Sequence, residues 1–130
     1  SDHTPVSEDA KTLPFAEAEA GATGLELLLS LALKWQSESS DKSLTLAKTL
    51  ATVTSQPAKV LAANLPVANA SLGQLVEGGA ADICIFDPKA MWLVGDDTLR
   101  SQGKHTPFSG YELPGQVRAT LVSGHVAFER

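Results

Sequence analysis

Cysteine is nearly absent from this sequence of 130 residues, since Cys84 is the only one. A single thiol excludes an internal disulfide and any zinc cluster built on cysteines. Because Cys84 stands between Ile83 and Ile85, we expect a buried strand thiol in a protein of the reducing cytoplasm. An initiator methionine is also absent, and we expect the chain to be a fragment that begins just before its last catalytic position.

Positive charge is scarce as well, with 10 Lys and Arg against 15 Asp and Glu and a net charge of −5. Without a basic cluster, neither a nucleic acid nor an anionic membrane is an expected partner. No signal peptide is present, and the longest apolar run is about a dozen residues, whereas a membrane span needs about 20. The hydrophobic fraction of 43% is typical of a globular protein.

The most apolar stretch, residues 25–35, predicts a helix that other structure covers on most sides. Its polar residues are Glu26, Ser30 and Lys34, which are spaced four apart and form one narrow stripe. Thr23 is a candidate cap, with Glu26 at the capping-box position. If nothing else covered this helix, the chain would expose an unusually large apolar patch.

Two further helices are predicted, over residues 44–53 and 55–63. Ser43 is the expected cap of the first helix and Thr54 that of the second, in which Pro57 is tolerated in the first turn. Pro66 ends the helical part of the chain. Residues 5–24 read as a long loop, and loops of about 20 residues are usually functional.

After Leu72 the apolar period changes from helical to alternating, which predicts strands at residues 81–87 and 92–94. Residues 116–122 and 125–129 flank Ser123-Gly124, the signature of a hairpin with a two-residue loop. The expected register places Leu121 opposite Val126 and Ala119 opposite Phe128.

The same register pairs Arg118 with Glu129 as a cross-strand ion pair. The chain therefore divides into a helical half, up to about residue 64, and an antiparallel β half. Neither half is expected to close a core by itself.

Several short segments, spread along the whole chain, form a pattern by their order and spacing. They are Ser1-Asp2-His3-Thr4-Pro5, Leu13-Pro14-Phe15, Gly21-Ala22-Thr23-Gly24-Leu25-Glu26, Thr54-Ser55-Gln56-Pro57-Ala58-Lys59, Gly79-Ala80-Ala81-Asp82, Phe86-Asp87-Pro88 and Thr106-Pro107-Phe108-Ser109-Gly110. In this order and spacing they resemble the carboxyl-terminal third of a bacterial dihydroorotase, of the cyclic amidohydrolase family.

The resemblance implies an α/β fold, in which the chain is the carboxyl-terminal fragment of a (β/α)8 metal-dependent hydrolase barrel. Residues 1–64 would be the end of the barrel, with the loop after strand 8 and the last helices. Residues 65–130 would be the carboxyl-terminal strands of a small β-sandwich domain. The implied partners are the missing amino-terminal portion of the same protein and further copies in a homo-oligomer.

The resemblance also assigns roles at the start of the chain. Asp2 matches a catalytic aspartate that binds the metal, zinc, and shuttles the proton of its bound water. Ala20 and Gly21 match a dipeptide whose backbone contacts the substrate ring. Val6 stands at a substrate-binding position that is normally His, and its isopropyl group cannot donate a hydrogen bond.

Three functions stay open at this point. The first is a dihydroorotase that interconverts N-carbamoyl-L-aspartate and L-dihydroorotate in pyrimidine biosynthesis. The second, which Val6 favours, is a catalytically inactive dihydroorotase-like subunit that scaffolds aspartate carbamoyltransferase. The third is an allantoinase or hydantoinase. In each case we expect these 130 residues alone to be inactive, because one carboxylate does not hold a catalytic metal.

Overall fold

The computed structural model describes residues 1–62 and 72–130, and within them the chain is an α/β structure. Two 3-10 turns, Asp9–Lys11 and Leu25–Leu27, precede the helices α1 (Leu28–Glu38), α2 (Leu46–Val53) and α3 (Ser55–Ala62). The strands β1 (Ile83–Leu93), β2 (Glu112–Val122) and β3 (His125–Glu129) form one antiparallel sheet in the order β1-β2-β3. The predicted boundary between the halves and the predicted stop at residue 66 lie outside the described residues.

Helix α1 begins later than predicted, because residues 25–27 form a 3-10 turn in front of it. The predicted capping box is wrong, since neither the turn nor the helix has a side-chain cap. The Thr23 hydroxyl donates instead to the carbonyl of Gly103. The side chain of Glu26 also bonds to distant backbone rather than to the residues that precede the helix.

The caps of the next two helices also differ from the prediction. Thr45, not Ser43, caps α2, and its hydroxyl accepts from the Lys48 N–H at 3.3 Å. The Thr54 hydroxyl donates to the Leu50 carbonyl at 2.7 Å, so it closes α2 rather than capping α3. The predicted last residue of α3, Ala63, lies outside the described residues.

The two strands predicted over residues 81–94 are one strand with a bulge. Asp87 pairs with Gln116 and Met91 with Pro114, so residues 88–90 of β1 lie opposite a single residue of β2. The Asp87 carboxylate accepts from the backbone N–H groups of residues 89 and 90, at 2.9 and 3.2 Å. Because Pro88 has no N–H to give to the ladder, the chain bends there without ending the strand.

The predicted hairpin is confirmed at its turn. Val122 pairs with His125 and Leu121 with Val126. Ser123 and Gly124 have φ angles of 49° and 81°, the positive values that a two-residue I′ turn requires.

The register further from the turn is wrong by one residue on β3. An irregularity between Thr120 and Leu121 places Ala119 opposite Glu129 rather than opposite Phe128. The predicted Arg118–Glu129 pair is therefore not made. The guanidinium of Arg118 lies 3.7 Å from the carboxylate of Asp87 on the other neighbouring strand.

The Cys84 thiol is exposed, so the prediction of a buried thiol is wrong. Partial desolvation raises the pKa of Cys84, against a hydrogen bond with Thr120 that lowers it. The prediction that Cys84 lies on a strand is confirmed, since it belongs to β1.

The core lies where the 3-10 turn Leu25–Leu27 and α1 meet β2 and the loop that follows β1. Its buried side chains are Leu27, Val94, Leu99 and Leu113, with Leu31, Trp92 and Phe108 packed against them. The polar Ser30 of α1 is also buried: its hydroxyl accepts from Trp92 Nε1 at 3.0 Å and donates to the Gly115 carbonyl at 3.3 Å. Ser30 and Leu33, the two buried residues of α1, therefore face the sheet.

The opposite side of α1 is apolar and exposed. Trp35 of α1 is 51% exposed and Leu25 of the preceding 3-10 turn 59%, whereas Trp92 packs against the core. Leu25 and Leu28 also line a groove of about 580 Å³ that runs on past α2 to the start of β1. Among the residues that the structure describes, none of the helices is long and apolar enough to cross a membrane.

Candidate active site

Asp2 lies on an exposed stretch at the start of the chain, with a backbone φ of 47°. This left-handed region is uncommon for residues other than glycine, although aspartate tolerates it better than most. Non-glycine residues in this region cluster at functional sites. The carboxylate is therefore on the surface, open to a ligand or to solvent.

His3 is fixed by the backbone where the 3-10 turn Leu25–Leu27 begins. Its Nδ1 accepts from the N–H groups of Gly24 and Leu25, both at 3.2 Å. Since Nδ1 accepts, the proton of the neutral ring is on Nε2. The imidazole thus satisfies two N–H groups at a helix start and ties the Asp2 segment to residues 24–25.

Val6 points into the protein, with only 5% of its surface exposed. It packs against Gly21, whose φ is 133°: a Cβ on that glycine would lie 2.8 Å from Val6 Cγ2 and 2.4 Å from the Thr4 carbonyl oxygen. The Thr4 N–H also donates to the Ala22 carbonyl at 3.1 Å. The glycine is thus required by contact with the chain itself, whether or not a ligand also approaches it.

The structure therefore brings together the positions that the sequence singled out. Residues 2–6 and residues 20–24 run side by side, with Asp2 and Ala20 exposed and Val6 beneath them. The catalytic role of Asp2 and the substrate contacts of Val6, Ala20 and Gly21 stay predictions.

A loop from the β half, residues 99–106, lies against this region, and no local pattern in the sequence predicts its position. The Glu26 carboxylate accepts from the N–H groups of Arg100 and Ser101 and from the Ser101 hydroxyl, each at 2.7 Å. The Thr23 N–H donates to the His105 carbonyl at 2.8 Å. These partners are separated by more than 70 residues, beyond the reach of any local pattern.

The pKa of the Glu26 carboxyl reflects this loop. Partial burial by itself raises the pKa of Glu26. The hydrogen bonds from the Ser101 hydroxyl and from the N–H groups of Arg100 and Ser101, together with the positive charge of Lys104, lower the pKa by more than burial raises it. The net shift is downward from the ordinary value of 4.5, so the loop binds the ionised carboxylate.

The residues that the structure describes do not by themselves form a complete metal centre. In residues 1–62 and 72–130, no three His, Cys, Asp or Glu side chains come together where they could share an ion. Catalytic zinc sites use three protein ligands, and the candidate site offers the Asp2 carboxylate, while Nδ1 of His3 is occupied by backbone N–H groups. The implied zinc therefore does not fit these residues alone.

Comparison with known proteins identifies relatives along the whole chain, although no family model matches it. The chain is 43% identical over 129 residues to a dihydroorotase-like protein of Pseudomonas aeruginosa, covering 99% of this chain and 28% of that protein. It is 38% identical over 130 residues to a dihydroorotase of Geobacter metallireducens, covering 100% of this chain and 28% of that protein. The chain thus spans little more than a quarter of the length of these relatives.

Solved structures give the same picture of the fold. The D-hydantoinase (dihydropyrimidinase) of Thermus sp. matches with a TM-score of 0.79 and 22% identity, over 99% of this chain and 27% of that one. The L-hydantoinase (dihydropyrimidinase) of Arthrobacter aurescens matches with a TM-score of 0.71 and 29% identity, over 88% of this chain and 24% of that one. The chain has the fold of a segment of these proteins, and in sequence it is homologous to a segment of the dihydroorotases and dihydroorotase-like proteins.

Proposed function

We propose that the chain is the carboxyl-terminal portion of a dihydroorotase-type amidohydrolase. The whole protein would open the cyclic amide of L-dihydroorotate to N-carbamoyl-L-aspartate, and close it in the reverse direction, in pyrimidine biosynthesis. The observation that carries the proposal is identity of 35–38% to dihydroorotases over 99–100% of the chain. The juxtaposition of Asp2 with residues 20–24 supports it.

Within that protein, residues 1–64 would close the metal-dependent barrel and residues 65–130 would belong to the β-sandwich. Two features support this division. The apolar side of α1 is exposed at Leu25 and Trp35, as expected of a helix that packs on barrel strands supplied by the rest of the polypeptide. Strand β1 is at the edge of the three-stranded sheet and carries Ile85, which is 51% exposed.

The contribution of this chain to the chemistry would be the Asp2 carboxylate. It is exposed at the site, so it can accept a proton from an attacking water, as a general base does. His3 would hold the backbone beside it through its two hydrogen bonds. The other metal ligands would come from the upstream polypeptide, which is therefore the first proposed partner, with self-association into a homo-oligomer as a further proposal.

A second candidate is a non-catalytic dihydroorotase-like subunit that assembles with aspartate carbamoyltransferase. Two observations favour it. Val6 is buried and apolar at the position where the active family places a substrate-binding histidine. A relative at 43% identity also carries the name "dihydroorotase-like protein".

The test is the zinc content of the full-length polypeptide together with its hydrolysis of dihydroorotate. The first candidate predicts one or more bound zinc ions per chain and steady turnover. It also predicts that Asp2→Asn lowers kcat by about 100-fold or more, while Asp9→Asn, an exposed aspartate in the loop beyond, leaves kcat unchanged. Metal-free protein without turnover that co-sediments with aspartate carbamoyltransferase would reject the enzyme and support the scaffold.

A further inference from the structure

The loop of residues 99–106 lies against two parts of the chain at once. On one side it meets the 3-10 turn that leads into α1, and on the other it meets the segment that carries Asp2. In both contacts the loop contributes backbone groups. A displacement of the loop would therefore change the position of the segment that carries Asp2.

On the side of α1 the loop is held by one carboxylate. Glu26 accepts from the backbone N–H groups of Arg100 and Ser101 through its two different oxygens, and from the Ser101 hydroxyl as well. All three distances are 2.7 Å, the short range typical of charge-assisted hydrogen bonds. A side chain that binds two successive N–H groups fixes both the position and the orientation of that backbone.

On the side of the site the contact is made by Gly103. A Cβ on this residue would lie 2.9 Å from Pro5 Cβ and 3.1 Å from both the N and the O atoms of Val6. The loop backbone thus lies directly against the backbone of residues 5–6. The Thr23 hydroxyl, which donates to the Gly103 carbonyl, holds residues 20–24 against the same point.

We propose that Glu26 is a positioning residue for the candidate site: by fixing residues 100–101 it keeps Gly103 against Val6, and so determines where the Asp2–Val6 segment lies. The predicted effect on catalysis rests on the proposed function, whereas the effect on the position of the segment does not. The two are therefore measured separately.

The structural effect is measured by hydrogen exchange with mass spectrometry on the full-length polypeptide. In Glu26→Gln the amide group presents an N–H pair to backbone donors, so at least one of the three hydrogen bonds is lost. We expect the peptide that contains Thr4, whose N–H donates to the Ala22 carbonyl, to exchange about tenfold faster. The control is Glu38→Gln, an exposed carboxylate on the same helix that pairs with Lys34 at 2.5 Å.

The catalytic effect is the change in kcat relative to KM. A small displacement of a catalytic group can lower the rate by up to about 100-fold, so we expect Glu26→Gln to lower kcat by about tenfold to 100-fold. Zinc content should stay at the wild-type value, and Glu26→Asp, which keeps the charge, should recover part of kcat.

The outcomes separate the two proposals. Faster exchange in the Thr4 peptide in Glu26→Gln but not in Glu38→Gln supports the positioning role, even if the wild-type protein proves inactive and the enzyme proposal fails. Unchanged exchange at residues 2–6 in Glu26→Gln, with faster exchange at residues 100–101, overturns the positioning role. A uniform increase over the whole protein also overturns it, because that is the result of general destabilisation.

Discussion

Helix α1 and the 3-10 turn that leads into it have two faces, one buried and one exposed, and both contain leucines. The face toward β2 is fully buried, yet it contains Ser30 beside Leu27 and Leu33. The opposite face is exposed, yet it contains Leu25 and Trp35. In an isolated surface helix the polar stripe would face solvent and the leucines would face the core.

The buried face makes contacts with other parts of this chain, whereas the exposed face makes few. The serine can be buried because Trp92 and Gly115 satisfy its hydroxyl, so burial leaves no unpaired polar group. The exposed leucines and Trp35 form a patch of the kind that marks an interaction surface. The covered face makes its contacts within the chain, and we propose that the exposed apolar face contacts the rest of the polypeptide.

The largest expected effect on the free energy of unfolding comes from replacing a leucine of the buried face. Leu27→Ala should lower the free energy of unfolding by about 2–5 kcal/mol, because the fully buried leucine leaves a cavity. Leu25→Ala, two residues away and 59% exposed, should cost less than about 1 kcal/mol in the 130-residue chain. Urea denaturation measures both variants, and equal losses would contradict the two-face description.

A smaller effect tests the buried serine. Ser30→Ala should lower the free energy of unfolding by about 1–3 kcal/mol, because it leaves the buried Trp92 N–H without its acceptor. The control is Ser37→Ala on the same helix, where the serine is exposed and alanine has the higher helix propensity. If Ser30→Ala were neutral or stabilising, as at a solvated position, the orientation of α1 on the sheet would be wrong.

The smallest expected effect concerns pH. The pKa of Glu26 is lowered in the folded chain from 4.5, so the unfolded state binds the proton more readily. The resulting stability is present above 4.5 and is lost as pH falls through the lower, folded-state value. Denaturation at a series of pH values should show this acid loss in the wild type and a smaller loss in Glu26→Gln.

Features set by neighbouring residues could be predicted from the sequence. The turn at Ser123-Gly124 and the pairing of Leu121 with Val126 followed from two residues that favour positive φ between alternating runs. The bulge beyond Thr120 could not be predicted, because nothing local marks it, and it shifted the partner of Ala119.

Predictions were wrong where a side chain depends on partners that are distant in the sequence. Glu26 fitted a capping box by its spacing, but its hydrogen bonds go to residues 100 and 101. The position of Cys84 on a strand was recognised, yet which face of the sheet is covered depends on how α1 and α2 pack, and the thiol is exposed. At the site, the family resemblance implied that residues 2–6 and residues 20–21 serve one site. The position of the loop that lies against them was not predicted.

The most direct test of the central claim is residue-resolved oxidative footprinting of Trp35, compared between the 130-residue chain and the full-length polypeptide. Trp92, which packs on the core of this chain, is the internal control and should react at the same rate in both. We predict that Trp35 reacts several-fold more slowly in the full-length protein, because the rest of the polypeptide would cover the apolar face of α1. Equal rates of reaction at Trp35 in the two proteins would contradict it.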